Sequence, residues 1–384
     1  MFRSEQLNAD LIKFMKTNKI KTRREGSVLV LVLWALGLLS VFALYLGLGA
    51  RSKIDFLSRM ETRSKTSQIA EAGVKQAVAA IGNIDKKKLY LCLNDICSTD
   101  NQLFSGVLFE DGVVRIGAEY QANDYANGQS DEENIMYGIF DEQSKLNINT
   151  AERKELLALL VESAKIESDI ADQIASSIID WRDADSLSLA KGAEDNYYHG
   201  LKNSYECKDY QFESIEELRY VKGMDYNIFK KIQPYITVYG SGLVNINTAA
   251  RNVLKALGLS DRLTDKILIY RCGQDEIAAN GDDAAFENIS SVVAKLSQTE
   301  AVSASEVAQL SNLTASGRMT VCSSTFLIQS QANLKNKQDV CRIKCFFEKN
   351  QDENFKKAGF ILGWRQDYLK PGLDDQVEGD YGIE

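Results

Sequence analysis

The residues best suited to chemistry are five carboxylates between positions 180 and 195. Asp180, Asp183 and Asp185 stand in one short string, and Glu194 and Asp195 follow Gly-Ala shortly after it. A loop rich in oxygen ligands suits Ca²⁺, which takes about 6–8 oxygens in flexible geometry. Mg²⁺ prefers fewer protein ligands, and no cysteine lies in the string, which argues against a softer metal. The pattern is compatible with a calcium site, for which Asp183, Asp185, Glu194 and Asp195 are the candidate ligands and Asp180 is a further or purely structural candidate.

Other interpretations of these carboxylates stay open. The spacing is not that of an EF-hand, and acidic surface loops or helix caps also contain such residues. Paired carboxylates serve glycoside hydrolases, but no nucleophile–base arrangement accompanies them here. His199 is the only histidine in the chain, and it follows two tyrosines. We therefore predict that the protein is not an enzyme and has no small-molecule substrate.

A long apolar segment precedes these residues. Residues 27–50 carry no charge, and a membrane-spanning helix needs about 20 such residues. Basic residues precede the segment, so the positive-inside rule predicts a cytoplasmic N-terminus and an external body, although Arg and Lys also follow it. Helical spacing continues without proline to Ile81, which predicts one helix from Ser27 to Ile81.

The sequence that follows the long helix predicts an α+β fold. Alternating runs in 84–149 and again in 318–329 and 338–348 indicate strands of a small antiparallel sheet that packs on the long helix. A mostly helical region interrupts them. The predicted parts are a leader (1–26), a transmembrane helix (27–50), a helix with the first strands (51–149), two helical bundles (150–240 and 241–315), and returning strands with an acidic tail (316–384).

The two helical bundles begin with related strings. Leu-Asn-Ile-Asn-Thr-Ala at 146–151 and Val-Asn-Ile-Asn-Thr-Ala at 244–249 each precede a leucine- or valine-rich helix. Both bundles resemble SAM-like, helix-hairpin-helix modules, some of which bind DNA. The turn at Gly223-Met224-Asp225 lacks the second glycine and places an acid where phosphate would bind. With a net charge of −9 as well, nucleic acid is not a predicted partner.

The N-terminal segment resembles the type IV pilins and type II secretion pseudopilins. A basic leader ends in Gly26, an apolar run follows at once, and Ala-Glu-Ala-Gly occurs at 70–73. The resemblance implies that prepilin peptidase cuts between Gly26 and Ser27 and methylates the new terminus. The usual glutamate at the fifth mature position is Leu31 here. A subunit at the filament tip has no earlier neighbour whose amine needs that acid.

Nearly the whole chain, from about Arg23 to Ile361, resembles the K-type minor pseudopilins of type II secretion systems. The strings Asp-Trp-Arg-Asp-Ala-Asp at 180–185 and Gly-Ala-Glu-Asp-Asn-Tyr-Tyr at 192–198 carry this resemblance most specifically. It implies structural Ca²⁺ in this region and a tip subunit that assembles with I- and J-type minor pseudopilins. The expected location is the inner membrane of a Gram-negative bacterium, with a periplasmic head. The alternative is a type IV pilus tip protein for adhesion or DNA uptake.

The chain has seven cysteines, and export would favour disulfides. Three pairings are candidates, although spacing does not determine connectivity. These are Cys92 with Cys97, Cys207 with Cys272, and Cys322 with Cys341 or Cys345.

Overall fold

The structure, a computed structural model, describes residues 25–83, 97–98, 103–109, 111–121, 133–273, 278, 283–335, 340–350 and 359–369. It divides into two compact units, one ending at Thr62 and one beginning at Arg63. The α-helices are α1 Glu25–Asn83, α2 Arg153–Leu159, α3 Ser168–Arg182, α4 Asp195–Tyr198, α5 Tyr226–Ile232, α6 Arg251–Ala256, α7 Asp261–Arg271, α8 Val292–Thr299 and α9 Ala304–Ala315. A π-helical turn, Leu160–Ala164, continues α2, and short 3₁₀ helices cover Glu142–Ser144, Ile215–Tyr220, Gln233–Tyr235 and Ile289–Ser291.

The strands form one large antiparallel sheet and two small parallel pairs. The strands are β1 Cys97–Ser98, β2 Val107–Leu108, β3 Gly112–Gln121, β4 Glu133–Gly138, β5 Phe140–Asp141, β6 Leu146–Asn147, β7 Ile236–Thr237, β8 Val244–Asn245, β9 Met319–Thr320, β10 Thr325–Leu334, β11 Val340–Lys349 and β12 Gly359–Leu369. The main order of the large sheet is β1-β4-β3-β10-β11-β12, with β2 beside β3 and β5 beside β10. The predicted α+β fold with a long N-terminal apolar helix is confirmed.

Helix α1 changes character along its length. Its first half exposes large apolar side chains from Val28 to Leu48, and it contains a window of mean hydropathy 2.6 that is long enough to cross a membrane. After Arg63, one face of the helix is buried against the sheet. The buried apolar residues on it are Ala70, Val74, Ala77 and Ile81. The apolar residues are therefore distributed around the helix in the first half and confined to one face in the second.

Gly73 sets the distance between α1 and the sheet. A Cβ at this position would lie 2.5 Å from Ser330 Oγ on β10 and 2.6 Å from Val114 Cγ2 on β3. The close approach lets Ser330 Oγ donate a hydrogen bond of 2.9 Å to the Ala70 carbonyl. The glycine of the Ala-Glu-Ala-Gly string is thus required by packing of the helix on the strands.

The helical region lies between β5 and β10 in the chain and consists of two similar repeats. In the first, β6 pairs in parallel with β7, Leu146 opposite Ile236. In the second, β8 pairs in parallel with β9, Val244 opposite Met319. Each short pair brings the beginning and the end of its repeat together.

Corresponding side chains hold the two repeats in the same way. Asn149 exchanges two hydrogen bonds with the backbone of Phe212, and Asn247 does the same with Phe286. The arginine that ends α3 donates to the carbonyls of residues 148 and 151, and the one that ends α7 donates to those of 246 and 249. The second asparagine of each Asn-Ile-Asn-Thr string is therefore a clamp on a distant segment.

Two predicted disulfide pairings do not form. Cys207 is a free thiol in the helical core, whereas Cys272 packs in the sheet core. Cys322 precedes β10, while the residues opposite Cys341 and Cys345 are Ala332 and Ile328. The strand register therefore excludes the predicted facing of Cys322 with either thiol.

Candidate cation site in the first helical repeat

The C-terminal end of α3 is fixed by its last residue. The Arg182 guanidinium donates to the carbonyls of Ile148 and Ala151, the latter at 2.6 Å. Burial lowers the pKa of Arg182 to about 10, so this cation stays charged at neutral pH while bonded to the backbone. Asp183, which follows in extended conformation, therefore starts the acidic loop from a fixed position.

Asp180 holds the loop against α3. Its side chain is fully buried, and its carboxylate accepts hydrogen bonds from Leu189 N and Ser188 Oγ, both at 3.2 Å. Gly192 lies so close that an added Cβ would be 1.8 Å from Asp180 Oδ2. Burial raises the pKa of Asp180. These contacts give Asp180 the structural role that the sequence left open.

Three of the predicted ligands converge on one point. Oxygens of Asp183, Asp185 and Glu194 all lie within 4.8 Å of one another. Asp183 Oδ1 and Glu194 Oε1 are buried and have no hydrogen-bond partner among the residues the structure describes. Burial raises the pKa of Glu194 to about 7, and the charges of Asp180 and Asp209 add to the effect. The pKa of Asp183 is raised by burial and then by Asp185.

The fourth predicted ligand, Asp195, makes a different contact in this structure. Its Oδ1 accepts a 2.7 Å hydrogen bond from the backbone N–H of Cys207, and Asp195 belongs to neither group of converging ligand atoms found in the described chain. Asp195 is the first residue of α4. Asp195 therefore positions the segment around Cys207.

The structure adds two residues that the sequence did not indicate. Cys207 and Asp209 form a second converging group with Glu194, again within 4.8 Å. Asp209 adopts a left-handed conformation with φ of 49°, and its Oδ1 is another buried oxygen without a partner in the described part of the chain. Both residues follow the acidic string by more than ten positions, so spacing gave no signal for them. The absence of cysteine from the acidic string is therefore no argument against a softer metal, because Cys207 reaches Glu194 from outside the string.

Aromatic side chains from the same segments of the chain pack against one another. Trp181 contacts the rings of Tyr198 and Tyr205 edge to face, with centroids 5.2 Å and 6.2 Å apart. Nearby ammonium groups are engaged elsewhere: Lys222 Nζ donates to Gly192 O at 2.9 Å, and Lys191 pairs with Asp169 and Asp172. Buried carboxylate oxygens are normally paired with a charge, a donor or a metal. The donor set fits a divalent cation, and the all-oxygen group fits Ca²⁺.

The other predicted site residues are described only in part. Gly26 and Ser27 lie in the first turn of α1, and their side chains are outside the described residues. Cys92 is outside them too, and only the backbone of Cys97 is described, in β1.

Comparison with known proteins points to one family. The first domain of type II secretion system (T2SS) protein K matches residues 141–241, which contain every residue of the cation cluster. The chain is 32% identical over 113 residues to the type II secretion system protein K of Pectobacterium carotovorum subsp. carotovorum (29% of this chain, 34% of the relative). It is 36% identical over 92 residues to that of Aeromonas hydrophila (23% and 28%). The matches thus span about a third of the length of these relatives.

The solved structures give a match over most of the fold. A chain in the crystal structure of the GspK-GspI-GspJ complex from enterotoxigenic Escherichia coli is similar with a TM-score of 0.58 and 15% identity. The match covers 80% of this chain and 98% of that one, and shows that the two share a fold. Residues 141–241, with the whole cation cluster, match the first domain of type II secretion system protein K, and the resemblance predicted from the sequence is confirmed.

Proposed function

We propose that this chain is a structural minor pseudopilin, anchored in the inner membrane and placed at the tip of a type II secretion pseudopilus. The observation that carries the proposal is helix α1, whose uninterrupted course joins an exposed apolar half to a half packed on the sheet through Gly73. A continuous helix of this kind suits a subunit that packs by its helix in a filament and presents a large external head. No reaction is assigned to it.

The proposed partners are I- and J-type minor pseudopilins, because the solved relative of the same fold is a complex of that composition. The test is co-purification of the full chain, in detergent, with the I- and J-type pseudopilins of the same bacterium. A stable complex of the three is expected. Binding to type IV pilus subunits alone would overturn the assignment in favour of adhesion or DNA uptake.

The same proposal includes processing by prepilin peptidase between Gly26 and Ser27. Removal of the basic leader would place the uncharged run, with Leu31 at its fifth position, at the new N-terminus. Mass spectrometry of the mature chain should find a methylated Ser27 terminus. Gly26→Ala should prevent cleavage, whereas Gly37→Ala, where an added Cβ meets no atom within 4 Å, should leave it intact. An unprocessed wild-type chain would contradict this part of the proposal.

We further propose that Asp183, Asp185 and Glu194 hold a structural Ca²⁺ ion. The support is the pair of buried oxygens without partners, Asp183 Oδ1 and Glu194 Oε1. Ca²⁺ at a hundredfold excess over its dissociation constant should raise the free energy of unfolding by about 2.7 kcal/mol. EGTA should lower the melting temperature of the wild type, and Asp185→Asn should reduce the shift. Glu167→Gln, at an exposed residue just before α3, serves as control. An unchanged melting temperature on adding Ca²⁺ would refute the site.

A further inference from the structure

Strand β12 lies at one side of the large sheet, and much of its surface is both exposed and apolar. Within the described residues it pairs with β11 alone. Every second N–H and C=O of such a strand points away from the sheet, so a long apolar edge is a site where another strand can add. The exposed large apolar side chains of β12 are Phe360, Ile361, Leu362, Trp364 and Tyr368.

One face of β12 lies against helix α1 and is covered only in part. Gln366 Nε2 donates a 2.9 Å hydrogen bond to Ser67 Oγ on α1, so Trp364, two positions earlier in the strand, faces α1 as well. Trp364 is nevertheless 41% exposed. It lines a mainly apolar groove between β12 and α1, whose charged members, Glu71 and Lys75, have opposite signs. Other lining residues are Val78, Phe347 and Ile361.

The opposite face of β12 carries more positive than negative charge among the described residues. Arg365 forms an ion pair with Glu216 of the first repeat. On β11, Lys344 lies opposite Arg365 and Arg342 lies opposite Asp367. Residues directly opposite each other in a sheet share a face, so three cations and two acids meet here. This face therefore suits a segment with additional carboxylates.

The residues that continue the chain from β12 have the composition of a matching strand. They lie outside the described residues. Pro371 and Gly372 favour a turn, and the twelve residues 373–384 are enough to run back along the 11 residues of β12. Their even positions carry only acids, Gln376 and Gly382, whereas the odd positions carry Asp375, Gly379 and four apolar residues. The apolar residues are Leu373, Val377, Tyr381 and Ile383.

We propose that residues 373–384 return as an antiparallel strand on the free edge of β12. A hairpin loop with an even number of residues, such as the common loops of two or four, places odd positions of this segment beside even positions of β12. Its apolar side chains then lie on the α1 face beside Trp364, and its carboxylates lie on the face of Arg342, Lys344 and Arg365. The occupant of the edge is thus the chain's own acidic segment.

Hydrogen exchange of the full chain, alone in detergent, tests the pairing. Residues 361–369 should be protected in the wild type. Val377→Asn combined with Tyr381→Asn removes apolar side chains from one face of the segment and should speed exchange in 361–369 at least about tenfold, with β10 unchanged. Gln376→Ser changes the other face without changing the charge and should keep the protection of the wild type. Equal exchange in the wild type and the double variant would overturn the proposal.

Photo-cross-linking identifies what lies on the edge. A photo-cross-linking amino acid in place of Ile361, which is 57% exposed in the groove, should give a product within one chain that maps to residues 373–384. The double variant should reduce the yield of this product, and Gln376→Ser should not. A cross-link to a second copy of the chain instead, or to no part of residues 373–384, would overturn the assignment of the occupant.

Discussion

Glu194 is a carboxylate of the cluster whose ionisation is strongly opposed by its surroundings. Burial and the charges of Asp180 and Asp209 raise its folded-state pKa from 4.5 to about 7. The folded protein therefore binds more protons than the unfolded chain between pH 4.5 and 7, and its stability falls as pH rises through that window. Above pH 7 the full loss is on the order of 3 kcal/mol.

Glu194→Gln, which stays neutral, should remove this loss. In EGTA, its free energy of unfolding should exceed that of the wild type by on the order of 3 kcal/mol above pH 7 and by little below pH 4.5. Chemical denaturation at several pH values measures the difference. With Ca²⁺ present the order should reverse, because the variant lacks a charged ligand. A difference between the two proteins that does not vary with pH would contradict the assignment.

Only part of the cluster could be predicted at the residue scale. Asp183, Asp185 and Glu194 lie close in sequence, and their residue types and spacing made them candidates. Asp209 reaches the site through a left-handed backbone conformation, which sequence does not favour strongly for aspartate. The direction of the Asp195 side chain could not be predicted, because it depends on where Cys207 folds back.

At the scale of elements, Asn149 and Asn247 occupy corresponding positions in the two repeats, and each binds the backbone of a distant segment. Asn247 is 1% exposed and makes three side-chain hydrogen bonds, to both backbone groups of Phe286 and to Val321 O. Asn149 is half-buried, and among the described residues its side-chain amide makes only the two bonds to Phe212. The second repeat therefore depends more on its clamp than the first.

Asn247→Ala should cost about 3–4 kcal/mol and Asn149→Ala about 2 kcal/mol, since each leaves buried backbone groups unpaired. Thermal and urea unfolding of the full chain would measure both. Asn312→Ala on the exposed surface of α9 is the control and should change stability by less than about 0.5 kcal/mol. Equal losses at the two clamps would show that the third hydrogen bond contributes little.

Secondary-structure elements could be predicted where the sequence pattern lies within one short stretch of the chain. Helix α1 and the two repeats follow from apolar spacing and from the recurring Asn-Ile-Asn-Thr string. Disulfide pairings could not be predicted, because they depend on which strands become neighbours. Cys341 faces Ala332 only because β10 and β11 form a hairpin with that register.

At the scale of the whole head, one buried carboxylate joins three parts of the chain. Asp141 at the end of β5 accepts hydrogen bonds from Asn245 Nδ2 at 2.8 Å, Ser323 Oγ at 2.5 Å, Gln143 N at 2.8 Å, and Thr248 Oγ1. Asn245 and Thr248 begin the second repeat, and Ser323 precedes β10. Asp141 thus connects the sheet, the second repeat and the returning chain.

Asp141→Asn places an amide N–H₂ against these donors and should cost about 2–4 kcal/mol. The expected result is a lower melting temperature and faster hydrogen exchange in β8 and β9 than in α2 and α3. Asp261→Asn removes an exposed acid paired with Lys255 and should cost at most about 1 kcal/mol. Uniform loss of protection across the head would indicate general destabilisation and would contradict the junction role.

The short parallel pairs that close the repeats have a consequence for how such a chain can evolve. Because Leu146 lies opposite Ile236 and Val244 opposite Met319, each repeat starts and ends at adjacent strands about 5 Å apart. A module with neighbouring ends can be duplicated in tandem without moving the strands that flank it. After such a duplication, the first module could acquire the longer acidic loop. The second could keep a shorter connection, from Arg271 at the end of α7 to Phe286, which Asn247 binds.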